Sequence, residues 1–162
     1  MSDPEPDFEA MLKAPAEAKV DFIVMCGVCA VLQGAPISTF DLDLVYSRTG
    51  RNLSLLERVL QDQKAVYREN PDVSPDVSML DSPGHHLLMT KFGPLDLSGS
   101  TSSGQGYQEL LEHTEHIDLG EGIRVHILDL PTLISLKEKL GRDQDRAVLP
   151  ILRKTLAERG GR

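Results

Sequence analysis

The chain has 162 residues, 40% of them hydrophobic, and carries a net charge of −8 with two cysteines and no tryptophan. This length suits one domain with a buried core, and two cysteines in an apolar segment exclude a disulfide framework. The charge is uneven, because residues 130–162 hold eight Lys/Arg against four Asp/Glu while the rest is strongly acidic.

An acidic body disfavours non-specific binding to nucleic acid. No apolar run approaches the ~20 residues of a membrane span, and the acidic start is unlike a signal peptide. We therefore expect a cytoplasmic protein with no membrane partner.

In the first half, the acidic, proline-punctuated residues 1–6 are expected to be disordered, and one domain is expected over residues 7–159. A helix from Phe8 is expected to end or kink near Pro15. The elements predicted next are a buried strand over 20–25, a short helix over 28–33 closed by Gly34, a strand over 41–45, a helix opened by the capping box Ser54–Glu57 and ending near Gln63, and a short strand over 66–68.

In the second half, residues 70–84 contain three prolines, which predicts a loop or mobile insertion. The elements expected after it are strands over 85–92 and 95–98 joined by a turn at 92–94, a Ser/Gly-rich loop at 98–106, a helix over 107–113, a hairpin of 115–119 with 123–127, and helices over 131–140 and 147–156. Pro150 is expected only near the first turn of the last helix. Strands mixed with helices predict an α/β (α+β) fold, a mixed β-sheet with helices packed on it.

Three carboxylates stand out in two of these strands. In the strand Asp41-Leu-Asp-Leu-Val45, Asp41 and Asp43 share one face, and Leu95-Asp96-Leu97 repeats the pattern. If the strands are neighbours, the three carboxylates converge and form a site for one or two Mg²⁺ ions that would bind a nucleoside triphosphate. The alternative is a pair of solvated carboxylates on an edge strand.

Gly27 fits the same site, because a glycine between a strand and a helix lets backbone N–H groups approach phosphate closely. Cys26 and Cys29 are interpreted as small buried side chains, since no second cysteine pair is present to close a zinc site. The loop at 98–106 is interpreted either as a flexible linker or as an acceptor-binding loop.

Taken together, Gly27, Thr39, Asp41-x-Asp43 and the phrase Phe92-Gly-Pro-Leu-Asp96 resemble the signature of the nucleotidyltransferase superfamily associated with DNA polymerase β. The sequence resembles in particular the small bacterial members, including those of abortive-infection and toxin–antitoxin systems. Leu133-Ile-x-x-Lys137 and Gly141-Arg142-x-x-Asp145 resemble two C-terminal segments of that family. The resemblance covers about residues 20–156.

The resemblance implies a nucleotidyltransferase-like fold and transfer of a nucleoside monophosphate from a nucleoside triphosphate, ATP in the first instance, to a hydroxyl with release of pyrophosphate. It implies that Asp41, Asp43 and Asp96 are catalytic and hold Mg²⁺. It implies nucleotide-binding roles for Gly27, Thr39 and Lys137. The acceptor stays open between a small molecule, a tRNA and a protein.

The sequence departs from the family pattern at four positions, which are Cys26, Val28, Ile37 and Gln144. Each departure removes an expected phosphate contact and leaves the carboxylates in place. The alternative function is therefore a catalytically lapsed domain that binds a nucleotide or a protein partner, as an antitoxin does. A homo-oligomer is a further option.

Overall fold

The computed structural model describes residues 5–160 of the chain. Its central feature is a seven-stranded mixed β-sheet. Its strands are β1 (Phe22–Met25), β2 (Leu42–Tyr46), β3 (Val66–Tyr67), β4 (His85–Thr90), β5 (Gly93–Ser98), β6 (Thr114–Gly120) and β7 (Ile123–Leu128). The order across the sheet is β3-β4-β5-β2-β1-β7-β6. The pairs β2–β5 and β1–β7 are parallel and the other neighbours are antiparallel. The predicted α/β architecture is thus confirmed.

The helices of these residues are α1 (Phe8–Glu17), α2 (Cys26–Leu32), α3 (Gly50–Asp62), α4 (Val77–Leu80), α5 (Tyr107–Leu111), α6 (Leu130–Leu140) and α7 (Asp143–Gly160). None of them is both long and apolar enough to span a bilayer. The disorder expected for residues 1–6 falls mostly outside the described residues. The two that are described, Glu5 and Pro6, belong to no helix or strand.

The core forms because leucines alternate with polar residues along the central strands. Leu42 and Leu44 of β2 pair in register with Leu95 and Leu97 of β5, and all four are at most 4% exposed. Since alternate residues of a strand face opposite sides, Asp43 and Asp96 are placed together on the other face.

A buried asparagine fixes the entry to β1 and the exit from β2. The side-chain N–H groups of Asn52 on α3 donate to the carbonyls of Asp21 (3.0 Å) and Ser47 (2.7 Å). Its carbonyl oxygen accepts from the N–H of Asp21 at 2.6 Å. Asn52 therefore holds the ends of the antiparallel pair that carries the first two carboxylates.

The predicted start of α3 is wrong. The helix begins at Gly50, and Thr49 is its N-cap, with its hydroxyl oxygen accepting from the N–H of Asn52 at 3.3 Å. Ser54 lies inside the helix, and Glu57 accepts from the N–H of Val77 at 2.8 Å instead of completing a capping box. A tertiary contact with α4 has replaced the local one.

Two other boundaries also differ from the sequence prediction. The segment 70–84 contains the short helix α4, which Asp76 caps by accepting from the N–H of Met79 at 2.8 Å. β5 begins at Gly93, so the β4–β5 turn comes before the position predicted for it.

The first proline-containing helix ends near Pro15, as predicted, whereas the second is longer than predicted. α1 continues past Pro15 to Glu17, and α7 begins at Asp143 so that Pro150 lies well inside it. The earlier start of α7 has a local cause, because the Asp145 carboxylate accepts from the N–H of Arg142 at 3.2 Å and so stabilises the first turn.

Candidate functional site

Two of the predicted carboxylates are direct neighbours across a parallel strand pair. Asp43 of β2 is the register partner of Asp96 of β5, and on its other side Asp43 pairs with Met25 of β1. β2 is an interior strand, so the interpretation of Asp43 as a residue of an edge strand is wrong. Asp41 directly precedes β2, is half-buried and lies close enough to Asp96 for a hydrogen bond between the two carboxyl groups. The structure therefore brings the three carboxylates to one face.

The carboxylates repel one another in a partly desolvated setting. Burial, followed by the charges of Asp96 and Asp41, raises the pKa of Asp43 from 3.8 to about 7, and Lys137 opposes this rise. Burial also raises the pKa of Asp96, against the opposing effect of the Arg68 guanidinium. A group of negative charges that is not fully neutralised is the setting in which a bound cation gains most.

Arg68 was not among the site residues predicted from the sequence. A guanidinium nitrogen of Arg68 lies 2.5 Å from Oδ1 of Asp96, and both side chains are partly shielded from solvent. Arg68 directly follows β3, and its backbone N–H donates to the carbonyl of Leu87 at 3.0 Å. One feature of the sequence pointed to Arg68, its position as a basic residue at the end of the short strand predicted over 66–68.

Gly27 sits against Thr39 with no room for a side chain. A Cβ atom at Gly27 would lie 2.5 Å from Oγ1 and 2.8 Å from Cβ of Thr39. The hydroxyl of Thr39 donates to the carbonyl of Asp41 at 3.2 Å. Gly27 thus brings the start of α2 close to the loop that leads into the first carboxylate.

Lys137 is held in an ion-pair network with a buried aspartate. Its ammonium lies 3.2 Å from Oδ1 of Asp145, and the Arg142 guanidinium lies 2.7 Å from Oδ2. Asp145 is 0% exposed, and hydrogen bonds from Arg142 and Lys137 hold its pKa at about 2. Lys137 still acts on Asp43 electrostatically, so it lies near the carboxylates while its direct partner is Asp145.

The two cysteines are free thiols in a low-polarity setting. Burial raises the pKa of Cys26 and of Cys29 to about 12, and the Cys29 thiol donates to the carbonyl of Leu128 at 3.0 Å. A thiol that stays protonated at neutral pH is neither a nucleophile nor a metal ligand. Cys29 is thus a small buried side chain, as interpreted from the sequence, whereas Cys26 is only partly buried.

The donor chemistry of Asp41, Asp43 and Asp96 fits a hard divalent cation, because carboxylate oxygens are the ligands that Mg²⁺ prefers. Burial and, after it, the charges of Asp96 and Asp41 raise the pKa of Asp43, and such an ion would relieve the repulsion between the carboxylates. Within residues 5–160, however, no three Asp, Glu, His or Cys side chains stand in a ready-made ligand arrangement. Arg68 occupies one oxygen of Asp96 in the structure.

Comparison with known proteins identifies the fold. The sequence matches no protein-family model, and no curated protein is significantly similar to it. Among solved structures, a candidate nucleotidyltransferase from Thermotoga maritima matches with a TM-score of 0.56 and 18% identity, over 94% of each chain. The lincosamide antibiotic adenylyltransferase LnuA, in its lincomycin-bound form, matches with a TM-score of 0.63 and 11% identity, over 94% of this chain and 99% of LnuA. The chain therefore has the nucleotidyltransferase fold.

The close approach at Gly27 generates a stability prediction. Gly27→Ala places a methyl group against Thr39, and we expect a loss of about 1–3 kcal/mol in the free energy of unfolding, as for other overpacked sites. Urea denaturation measures this loss. The double variant Gly27→Ala/Thr39→Gly removes the clash, so its loss should be smaller than the sum of the two single losses; simple additivity would contradict the contact.

Asp43 generates a prediction on the pH dependence of stability. Because its pKa rises from 3.8 when unfolded to about 7 when folded, the folded state binds more protons between these values. Stability should therefore fall as the pH rises through this window. In the presence of EDTA, Asp43→Asn should be more stable than the wild type at pH 8, and the difference should vanish near pH 4. Denaturation midpoints at both pH values measure this, and an equal difference at both would contradict the prediction.

Proposed function

We propose that this protein transfers a nucleoside monophosphate from a nucleoside triphosphate to a hydroxyl group and releases pyrophosphate. The observation that carries the proposal is the register pairing of Asp43 with Asp96 on interior parallel strands, with Asp41 close to both. The nucleotidyltransferase fold supports the reaction class. LnuA is an adenylyltransferase, which makes ATP the first nucleotide to test.

In this mechanism the acceptor hydroxyl oxygen forms a bond to the α-phosphorus as the bond to the pyrophosphate oxygen breaks. Asp96 accepts the proton of the hydroxyl, a task that its partly buried carboxylate suits once Arg68 turns away. Gly27 lets the start of α2 lie close to the triphosphate, and Lys137 adds positive charge near Asp43. Magnesium, held by Asp41, Asp43 and Asp96, would supply orientation of the α-phosphate and neutralisation of the charge that develops on it.

A second function is favoured by how the basic groups are paired. Lys137 is bound to Asp145 and Arg68 to Asp96, so neither cation is free to hold phosphate in the structure. Cys26 and Val28 also replace residues that contact phosphate in the family pattern. A lapsed domain would bind nucleotide or a protein partner without turnover, and the release of pyrophosphate separates the two functions. Cytoplasmic placement and a homo-oligomer stay predictions.

The enzyme proposal predicts that activity depends on Asp96. With Mg²⁺ and labelled ATP, Asp96→Asn should lower pyrophosphate release by about 10²–10⁴-fold, the usual contribution of a positioned base. The double variant Asp41→Ala/Asp43→Ala should abolish release, since it removes two of the predicted ligands. The control is Asp118→Asn, an exposed aspartate on β6, which should keep wild-type activity.

Acceptor-dependent release that survives Asp96→Asn would contradict the role of Asp96 as base. Nucleotide binding by the wild type without any release across a panel of hydroxyl acceptors would support the lapsed domain. Absence of any effect of Mg²⁺ and ATP on the melting temperature would contradict both the enzyme and a lapsed domain that binds nucleotide, because a ligand at a hundredfold excess over its Kd stabilises by about 2.7 kcal/mol. It would leave only a lapsed domain that binds a protein partner.

The ion pair between Arg68 and Asp96 predicts that Arg68 competes with a divalent cation for the Asp96 carboxylate. Because its guanidinium neutralises Asp96, Arg68→Met should strengthen the binding of Mn²⁺ to the nucleotide-free protein by about tenfold or more, a change of about 1.4 kcal/mol. Electron paramagnetic resonance of free Mn²⁺ measures this affinity. Arg68→Lys keeps the charge and is the matched control. Weaker Mn²⁺ binding by Arg68→Met would show instead that Arg68 positions Asp96 as a ligand.

A further inference from the structure

An exposed apolar surface lies beside the carboxylates on the same face of the sheet. Leu87 of β4 is the register partner of Asp96, and Met89 is the register partner of Pro94. Register partners on neighbouring strands share a face and lie about 5 Å apart. Leu87 is 42% exposed and Met89 40% exposed. Two large apolar side chains thus remain in contact with solvent next to the proposed base.

Leu87 also lines a cleft at the outer end of this face. The cleft has a volume of about 480 Å³ and is lined by Tyr67, Glu69, Asn70, Val73, His85 and Leu87. This volume is within the range of ~300–1,000 Å³ that is usual for small-molecule sites. Its lining combines apolar surface with a carboxylate, an amide and an imidazole, the mixture that orients an amphipathic ligand.

Arg68 connects the cleft-lining residue Leu87 with the carboxylate of Asp96. Its backbone is bonded to Leu87 in the strand that lies between Arg68 and Asp96. The Arg68 side chain must therefore cross β4 at Leu87 to reach Asp96. A ligand in the cleft that extends past Arg68 meets Asp96 next, because Leu87 and Asp96 occupy the same cross-strand row.

We propose that this cleft binds the acceptor of the transfer, and that the acceptor is a small amphipathic alcohol without negative charge. The proposal rests on the proposed function and names its second substrate. The apolar part of the alcohol packs on Leu87 and Val73, and the hydroxyl points past Arg68 towards Asp96. Glu69 in the cleft wall and the net charge of −8 repel anionic compounds. The same charge disfavours a polyanionic acceptor such as tRNA.

The test measures ligand binding to the full chain without nucleotide. Hexyl glucoside is a neutral probe with an apolar tail and free hydroxyls, and hexyl glucuronide is its anionic counterpart. In backbone amide NMR titrations, hexyl glucoside should shift the signals of residues 69–73 and 85–87 most strongly. Hexyl glucuronide should bind at least about tenfold more weakly, a difference of about 1.4 kcal/mol.

Two variants with similarly exposed apolar residues locate the site. Leu87→Glu should raise the Kd of hexyl glucoside at least about tenfold. The control Met79→Glu replaces a residue that is 39% exposed on α4, outside the cleft lining, and should leave the Kd unchanged. Absence of shifts in the cleft, equal binding of the glucuronide, or an unchanged Kd for Leu87→Glu would each overturn the proposal.

The binding of ATP is followed separately by the melting temperature of the same proteins. If nucleotide fails to stabilise the wild type, the proposed function fails, whereas the NMR titration still decides whether the cleft binds the alcohol.

Discussion

The parallel pairing of β2 with β5 is the constraint on which the candidate site depends. It places leucines of both strands in the core on one side and, by the same alternation, sets Asp43 beside Asp96 on the other. The leucines cannot be buried without bringing the carboxylates together. The stabilisation from apolar burial therefore offsets the repulsion between the charges, and the fold itself holds the acidic group in place. A local loop could not hold such an unfavourable arrangement as rigidly.

The positive charges around the carboxylates are divided between two sides of the site. Arg68 approaches from the outer end of the sheet and pairs with Asp96, whereas Lys137 approaches from α6 and is bound mainly to buried Asp145. Neither cation is the direct partner of Asp43, and burial together with the neighbouring carboxylates raises the pKa of Asp43 against the effect of Lys137. The carboxylates thus lie at the centre of the site, and a basic group lies on each side of them. This distribution suits the ligand of the proposed function, in which a metal cation would meet the carboxylates and the anionic triphosphate would meet the basic groups.

Local patterns predicted the parts of the fold that depend on near neighbours in sequence. The alternation around Asp43 and Asp96 gave both strands and the shared face, and the Gly120-Glu-Gly122 turn gave the hairpin. The capping box at Ser54 failed because Glu57 is used by the distant Val77. Arg68 was missed for the same reason, since a single basic residue gives no sign of which strand will lie beside it. The start of α3 and the position of Arg68 thus depend on contacts between distant segments, which the local sequence does not indicate.

The connection between β2 and β5 has a consequence for how the molecule is assembled. About fifty residues separate Asp43 from Asp96, and this segment forms α3, β3, α4 and β4. Contacts between residues so far apart form late, because closing a long loop costs entropy before the contacts reward it. On the ribosome, the first two carboxylates emerge well before the third and are not yet crowded together. The electrostatic strain of the site thus arises only once β2 and β5 have paired, so it does not hinder the steps before that pairing.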